Sequence, residues 1–346
     1  MKNLVLLILT TISVNTYGQK DTITTAVKNP LGIVNSDNYL FIAEADDNEI
    51  TKIDLTIQNP IPVAIISGFS RPNFLTVVGN FLYFTEYYEN RISKIDLTQT
   101  FPKPTIVVSG LNTPEYLKLN GNDLYFSEFN AGKISKIDIT HSNPIPTTVI
   151  SGLNTPYGLE INGNDLFYSE FSGNKISKID ITQVNPKPTI VINDISGPLG
   201  GMKIKGNKLY FFEYQSRKIS MIDITSSTPT VKNIDVDVAG GDIEFIGNDM
   251  YISDFENNLI LKYSNQIVSI SNVINPSFEI FPNPSSDFIS IKGVVEKMSG
   301  TIFNFSGVKI QEFTTHDNET LDISFLNPGT YFVVFTNGVA SKFIKK

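Results

Sequence analysis

Residues Ser151 to Ile192 read SGLNTPYGLEINGNDLFYSEFSGNKISKIDITQVNPKPTIVI, and Ser109 to Ile150 read SGLNTPEYLKLNGNDLYFSEFNAGKISKIDITHSNPIPTTVI. The second is a copy of the first displaced by 42 residues, and Ser67 to Val108 is a third copy at the same spacing. Self-similarity at a fixed period of this length decides the architecture before any local reading does. A carboxylate marks each copy: Glu44, Glu86, Glu128, Glu170, Glu213 and Asp254 close LFIAE, LYFTE, LYFSE, LFYSE, LYFFE and MYISD. Six residues further on stands an isoleucine every time, at Ile50, Ile92, Ile134, Ile176, Ile219 and Ile260. Asn48, Asn90, Gly132 and Asn174 fall between them, residue types that tolerate the positive φ of a tight turn.

The copies are runs of Val, Ile, Phe, Tyr and Thr bounded by Gly, Asn and Pro, and no helical period shows between Thr22 and Ser271. This pattern predicts four short antiparallel strands per copy. A sheet that is apolar on both faces must stack on its neighbours, and four strands in 42 residues suit a propeller blade. A propeller closes on itself; a solenoid would leave open ends. The expected fold class is therefore all-β, a six-bladed β-propeller over 19–271 followed by a small C-terminal β-sandwich. The sixth copy, Ala239 to Ser264, holds only three strands. Thr22 to Val27 aligns with the fourth-strand segment of the other copies and is expected to close the ring, with Gln266 to Ile270 as the rival for that slot.

Composition narrows the compartment and the chemistry. The 346 residues include no cysteine, so no disulfide framework, thiol nucleophile or cysteine-ligated metal is available. A formal charge of −8 argues against nucleic acid as a partner, whose phosphates need a basic face. Met1 to Gly18 carries Lys2, the apolar run Leu4 to Val14, and small residues at Thr16 and Gly18. That is a signal peptide, too short in its apolar part to span a bilayer. No later stretch is long enough for a membrane helix, and a monomer is expected. The only histidines are His141, in a variable connection, and His316, near the C-terminus. Ser-His-Asp, Cys-His and histidine-zinc mechanisms are thereby excluded for the propeller.

LYFTE, LYFSE and LFYSE, each followed by a basic residue, isoleucine and KID, make residues 22–271 resemble the six-bladed propeller superfamily, with the YWTD and NHL repeat families nearest. The chain departs from them in having no tryptophan and in carrying glutamate where the motif has aspartate. Repetition makes the six marker carboxylates hydrogen-bond acceptors within their blades, since catalysis needs a unique constellation. Lys94-Ile95-Asp96, Lys136-Ile137-Asp138 and Lys178-Ile179-Asp180 are read as solvated pairs on one strand face, worth about 0–1 kcal/mol each. Gluconolactonase-like propellers hold an oxygen-ligated cation in the channel, and this resemblance keeps open a metal-dependent lactonase-like hydrolase with a divalent cation such as calcium. Against it, Asn29 to Asp37 (NPLGIVNSD) stands where that family has its glutamate signature.

Specificity is expected where the copies differ, on the first strands nearest the axis. The candidate ligand-binding residues are Asn73, Glu115, Lys118, Tyr157, Glu160, Lys203, Asp242 and Glu244, expected to line one shallow polar pocket. No catalytic residue and no metal ligand is assigned.

After Ser271 the period ends, and 272–277 read as a linker. Phe278 to Gly293, Thr301 to Ile310 and Leu321 to Lys346 are short alternating strands with turns between them, the pattern of a small sandwich. These segments resemble the type A sorting domain of the type IX secretion system over 278–346. The resemblance rests on Pro282-Asn283-Pro284, the Ser306-Gly307 turn, Leu326, Gly329 and Tyr331, and the basic end with Lys345 and Lys346. It implies the type IX machinery as partner and passage through the periplasm to the medium or the outer-membrane surface. The sequence reading is thus an exported binding module, with the hydrolase and a scaffold for another surface protein as alternatives.

Overall fold

The computed structural model describes residues 20–264, 279–292, 297–304, 308–335 and 340–346. The expected signal peptide, the rival strand Gln266 to Ile270, the linker and Gly307 lie outside the described residues. Five copies each form one four-stranded antiparallel sheet in chain order, for example Pro114–Asn120, Asp123–Glu128, Lys133–Asp138 and Thr147–Ser151 in blade 3. In the sixth sheet Gly240–Ile246, Asp249–Asp254 and Leu259–Tyr263 are completed by Lys20–Thr24, which pairs with the last of them. The N-terminal segment closes the ring as expected, starting two residues and ending three residues earlier than the alignment placed it. Each inner strand packs on the next, and Gly240–Ile246 packs on Pro30–Ser36 of blade 1.

The core lies between blades, as six separate apolar clusters. Because strand side chains alternate faces, each blade contributes one face to each of two clusters. Between blades 6 and 1, Val27, Tyr251 and Ile260 meet Ile33, Leu40, Ile42 and Ile53. The marker carboxylates are buried acceptors, as their repetition predicts. Glu128 accepts from Ser135 Oγ at 2.7 Å and the Asn112 N–H at 3.0 Å, with Lys133 Nζ at 3.1 Å. Glu86 takes a two-pronged Arg91 at 2.7 Å and Ser93 Oγ. The turn residues Asn48, Asn90, Gly132 and Asn174 do have positive φ, joined by Arg217 and Asn258 in blades 5 and 6.

Two features were not foreseen. In blades 2, 3 and 6 the hydroxyl residue before the marker carboxylate is an inter-blade latch. Thr85 Oγ1 accepts from the Phe74 N–H and donates to the Glu115 carbonyl, and Ser127 does the same for Tyr116 and Tyr157. Ser253 latches Asp242 to Leu31 across the closure. The KID motifs also need correcting, because lysine and aspartate of one strand do not pair with each other. Lys136 and Lys178 instead reach across to Asp123 and Asp165 at 2.6 Å, while Lys94 lies over the Phe81 ring at 4.7 Å. Asp138 accepts from the hydroxyl and N–H of Thr140 at 2.6 and 2.9 Å, which ends the strand in a side-chain-closed turn and holds the carboxyl below its ordinary range.

The chain divides into two units, Met1–Asn265 and Gln266–Lys346. The second has two sheets. Glu279–Phe281, Phe288–Lys292 and Thr320–Asp322 form one; Lys309–Thr315, Met298–Asn304, Gly329–Phe335 and Ala340–Lys345 form the other. Ile289, Ile291, Ile302, Ile323, Val333 and Phe343 make its core. Asn283 staples the Pro282–Pro284 turn to the last strand, donating to the Lys342 carbonyl and accepting from the Ile344 N–H. The backbone of Ser285 bonds Ile344 and Lys346, Lys345 is buried, and Tyr331 stacks on Phe343 at 5.6 Å. Seven of the eight expected sorting residues are thus described. Of these, Pro282, Asn283, Pro284, Lys345 and Lys346 gather where this turn meets the last strand, which also pairs Gly329 with Lys345.

Candidate functional site

The inner strands carry equivalent positions around the axis, and the differences among the copies shape the channel. Two residues after the inner proline, blades 2 and 3 carry Phe74 and Tyr116, whereas blades 1 and 4 carry Gly32 and Gly158. The glycines let neighbouring inner strands close together, since a Cβ on Gly32 would fall 2.6 Å from the Asn73 carbonyl oxygen and one on Gly158 closer still to that of Gly200. Phe74 and Tyr116 sit 4.8 Å apart, and the Tyr116 hydroxyl crosses to blade 6 to donate to Asp242 Oδ1 at 2.9 Å. Gly201 is required here, since a Cβ would fall 3.1 Å from the Tyr116 ring and inside the Asp242 carboxyl. Asp242 also accepts from the Ile33 and Ile243 N–H groups, so one carboxylate ties blades 1, 3 and 6 together. Burial pushes its carboxyl up to about 7, against the pull of the Lys203 charge. The result is an aromatic plug across the channel.

On the side of the plug where the inner strands begin lies a bowl of about 270 Å³. Its polar groups are Arg71, Glu115 and Tyr157, and its walls are Tyr87, Phe129, Tyr214 and Phe255. Leu31, Leu199 and three glycines, Gly200, Gly240 and Gly241, line the rest with Asn29. Blade 5 explains the glycines. It has Phe212 where blades 2, 3, 4 and 6 have the hydroxyls of Thr85, Ser127, Ser169 and Ser253, and a Cβ on Gly240 would overlap that ring. A Gly201 N–H to Gly241 carbonyl bond at 2.8 Å links blades 5 and 6 instead.

Glu115 is buried and accepts from Asn73 Nδ2 at 2.7 Å. Burial raises its carboxyl to about 7, opposed by Asn73, the Arg71 charge and the Tyr157 hydroxyl. Burial and the same carboxylate raise the Tyr157 hydroxyl well above its ordinary value. Arg71 has φ of 58°, and its guanidinium lies over Tyr87 at 5.0 Å and Tyr88 at 5.9 Å. Tyr214 and Phe255 stack with centroids 5.9 Å apart.

Beyond the plug, Lys118 pairs with Glu160 at 2.7 Å and Lys203 with Glu244 at 2.8 Å, charges alternating over blades 3 to 6. Burial alone would lower the Lys203 ammonium; the Glu244, Asp242 and Glu160 carboxylates outweigh it and raise it. The eight candidate residues therefore do not form one pocket. Glu115 and Tyr157 line the bowl with Asn73 behind them, Asp242 anchors the plug, and Lys118, Glu160, Lys203 and Glu244 lie on the far side. Sequence reasoning missed Arg71 and the aromatic wall. The signal was present: the residue after the marker carboxylate is aromatic in five of six copies, at Tyr87, Phe129, Phe171, Tyr214 and Phe255.

A channel cation needs several oxygen ligands converging on one point. Glu115, Asp242, Glu160 and Glu244 are instead directed to separate partners. Among the described residues, the group of carboxylate oxygens within 4.8 Å of one another is Glu44, Asp47 and Glu49, between the second and third strands of blade 1. The channel side chains do not fit such a cation. His141 is exposed beside Asp138, and His316 pairs with Glu319 in the second unit.

Residues 279–346 match the secretion system C-terminal sorting domain family. The chain is similar in fold to several solved propellers. A catalytically inactive histidine variant of virginiamycin B lyase from Staphylococcus aureus with quinupristin aligns at 20% identity, over 79% of this chain and 95% of that one, with a TM-score of 0.51. A gluconolactonase from Xanthomonas campestris aligns at 12% identity over 71% and 89%, TM-score 0.59. The nidogen/laminin complex gives 15% identity over 66% and 89%, TM-score 0.58. No curated protein matches the chain in sequence. The six-bladed propeller with a sorting tail is thus shown, and the tail marks the chain for type IX export to the cell surface or the medium. Among the described residues no helix is long and apolar enough to cross a membrane.

Proposed function

We propose that this chain is an exported binding protein whose ligand seat is the bowl at the mouth of the plugged channel. The observation that carries this reading is the combination in the bowl of the polar side chains of Asn29, Arg71, Glu115 and Tyr157 with a wall of four aromatic rings. A concave, mostly apolar surface with a few convergent polar groups is the usual form of a small-ligand site. The plug supports the same reading, because it gives the bowl a floor and keeps the ligand at the surface. The signal peptide at Met1 to Gly18 would start the export route and the tail would complete it.

A glycan array probed with the mature full-length chain tests the proposal. Binding should concentrate on a narrow set of glycans and fall roughly tenfold or more in Phe129→Ala and Tyr214→Ala, by analogy with aromatic anchors at other interfaces. Retention of full binding by both variants would place the site elsewhere.

A further inference from the structure

The bowl also constrains the chemistry of what it takes, and this step rests on the bowl being the ligand seat. Among the described residues, Arg71 is the one cationic side chain lining it. The guanidinium is held by aromatic faces, over Tyr87 and Tyr88, while Glu115, the acid of the bowl lining, accepts through one oxygen from Asn73. Contact with ring faces does not use up the N–H fork of a guanidinium, and that fork matches a carboxylate with two parallel hydrogen bonds. The backbone points the same way. At this position blades 1, 3, 4 and 5 carry Asn29, Thr113, Thr155 and Gly197, all with positive φ. A long charged side chain there gains nothing over asparagine or glycine for the fold.

Opposite the cation, Tyr214 and Phe255 present a stacked pair, and Phe129 meets Tyr157 edge-on at 5.9 Å. Flat apolar walls receive the C–H face of a sugar ring, and Glu115, the Tyr157 hydroxyl and the backbone of the lining glycines offer partners to its hydroxyls. The volume of about 270 Å³ lies just under the ~300–1,000 Å³ of drug-sized sites, so it holds one sugar unit of a chain rather than several. We infer that the bowl takes a carboxylated sugar, a uronic acid unit of an acidic polysaccharide, with its carboxylate on Arg71.

Calorimetric titration of the mature full-length chain with trimers of galacturonic and glucuronic acid, set against trimers of galactose and glucose, tests this. A uronate trimer should bind roughly tenfold or more tightly than its neutral counterpart, as expected for a charge-assisted hydrogen-bonded pair. Arg71→Asn should lose that preference without lowering the melting temperature, because Asn29 holds the same conformation in blade 1. Equal binding of neutral and acidic trimers, or an Arg71→Asn variant that keeps the preference, would overturn the inference. So would benzoate competing as strongly as a uronate, which would make the bowl a general carboxylate seat. If no uronate binds while the Phe129→Ala and Tyr214→Ala variants abolish binding of some neutral glycan, the bowl stands as the seat and this inference falls. If uronates bind and those variants bind them unchanged, the bowl itself is wrong.

Discussion

Tyr116 and Asp242 show how much one hydrogen bond can organise when it spans a ring. The bond joins residues 126 positions apart, on opposite blades, and nothing in a 42-residue alignment announces it. What was legible was the repeated chemistry: six marker carboxylates accepting bonds inside their own blades. The unique chemistry was not, because Tyr116 reaches Asp242 past Gly201 of another copy, where a side chain would collide with both. The bond has a pH signature. Asp242 carries a carboxyl raised in the folded state to about 7, so its contribution to stability is fullest below the unfolded value near 3.9 and declines as pH rises through about 7. Tyr116 donates to the ionised form and offsets part of that decline. Tyr116→Phe should cost ~1.5–3 kcal/mol above the transition, a fall in melting temperature of roughly 3–10 °C, and less at pH 5. Thermal melts at pH 5 and pH 8 check it; equal losses at the two would mean the hydroxyl does not serve the ionised carboxylate.

At the level of strands, closure is the decisive feature. The sequence shows a sixth copy short of a strand and an N-terminal segment of the right kind, and Lys20–Thr24 fills the slot. The strand ends three residues early because Val27, counted as strand by alignment, is instead a side chain buried between blades 6 and 1. Removing 20–27 would bare one edge of blade 6 and one inter-blade core. Burial of Val27 alone contributes about 1.5–3 kcal/mol, and the lost strand pairing adds to it. The deletion should therefore lower the melting temperature by roughly 10 °C or more; an unchanged melt would show that the ring closes by other means. In the second unit, Asn283 fixes the last strand to the Pro282–Pro284 turn. Asn283→Ala should reduce export, measured as the secreted fraction in culture medium and on cells, while leaving the propeller folded. Wild-type export of this variant would remove the staple from the sorting function.

For the molecule as a whole, the 42-residue period and the tail motifs made the architecture and the export route legible, because both depend on patterns repeated or clustered along the chain. The bowl was half legible. Glu115, Tyr157 and Asn73 were singled out by their variation between copies, while the aromatic wall was hidden by its regularity and Arg71 by its place before the strand. Deleting 279–346 should leave a protease-resistant propeller retained inside the cell envelope, since all six inter-blade cores lie within the first unit. Appearance of the truncated chain in the medium at wild-type level would deny the tail its sorting role. The most direct test of the bowl as ligand seat is a binding titration, with the tightest glycan from the array, of three full-length proteins. These are the wild type, the bowl variant Phe129→Ala/Tyr214→Ala, and a control at two exposed residues of the outer connections, Phe101→Ala/Val184→Ala. The bowl variant should lose roughly tenfold or more in affinity while the control binds as wild type; undiminished binding by the bowl variant, or loss in the control instead, would contradict the assignment.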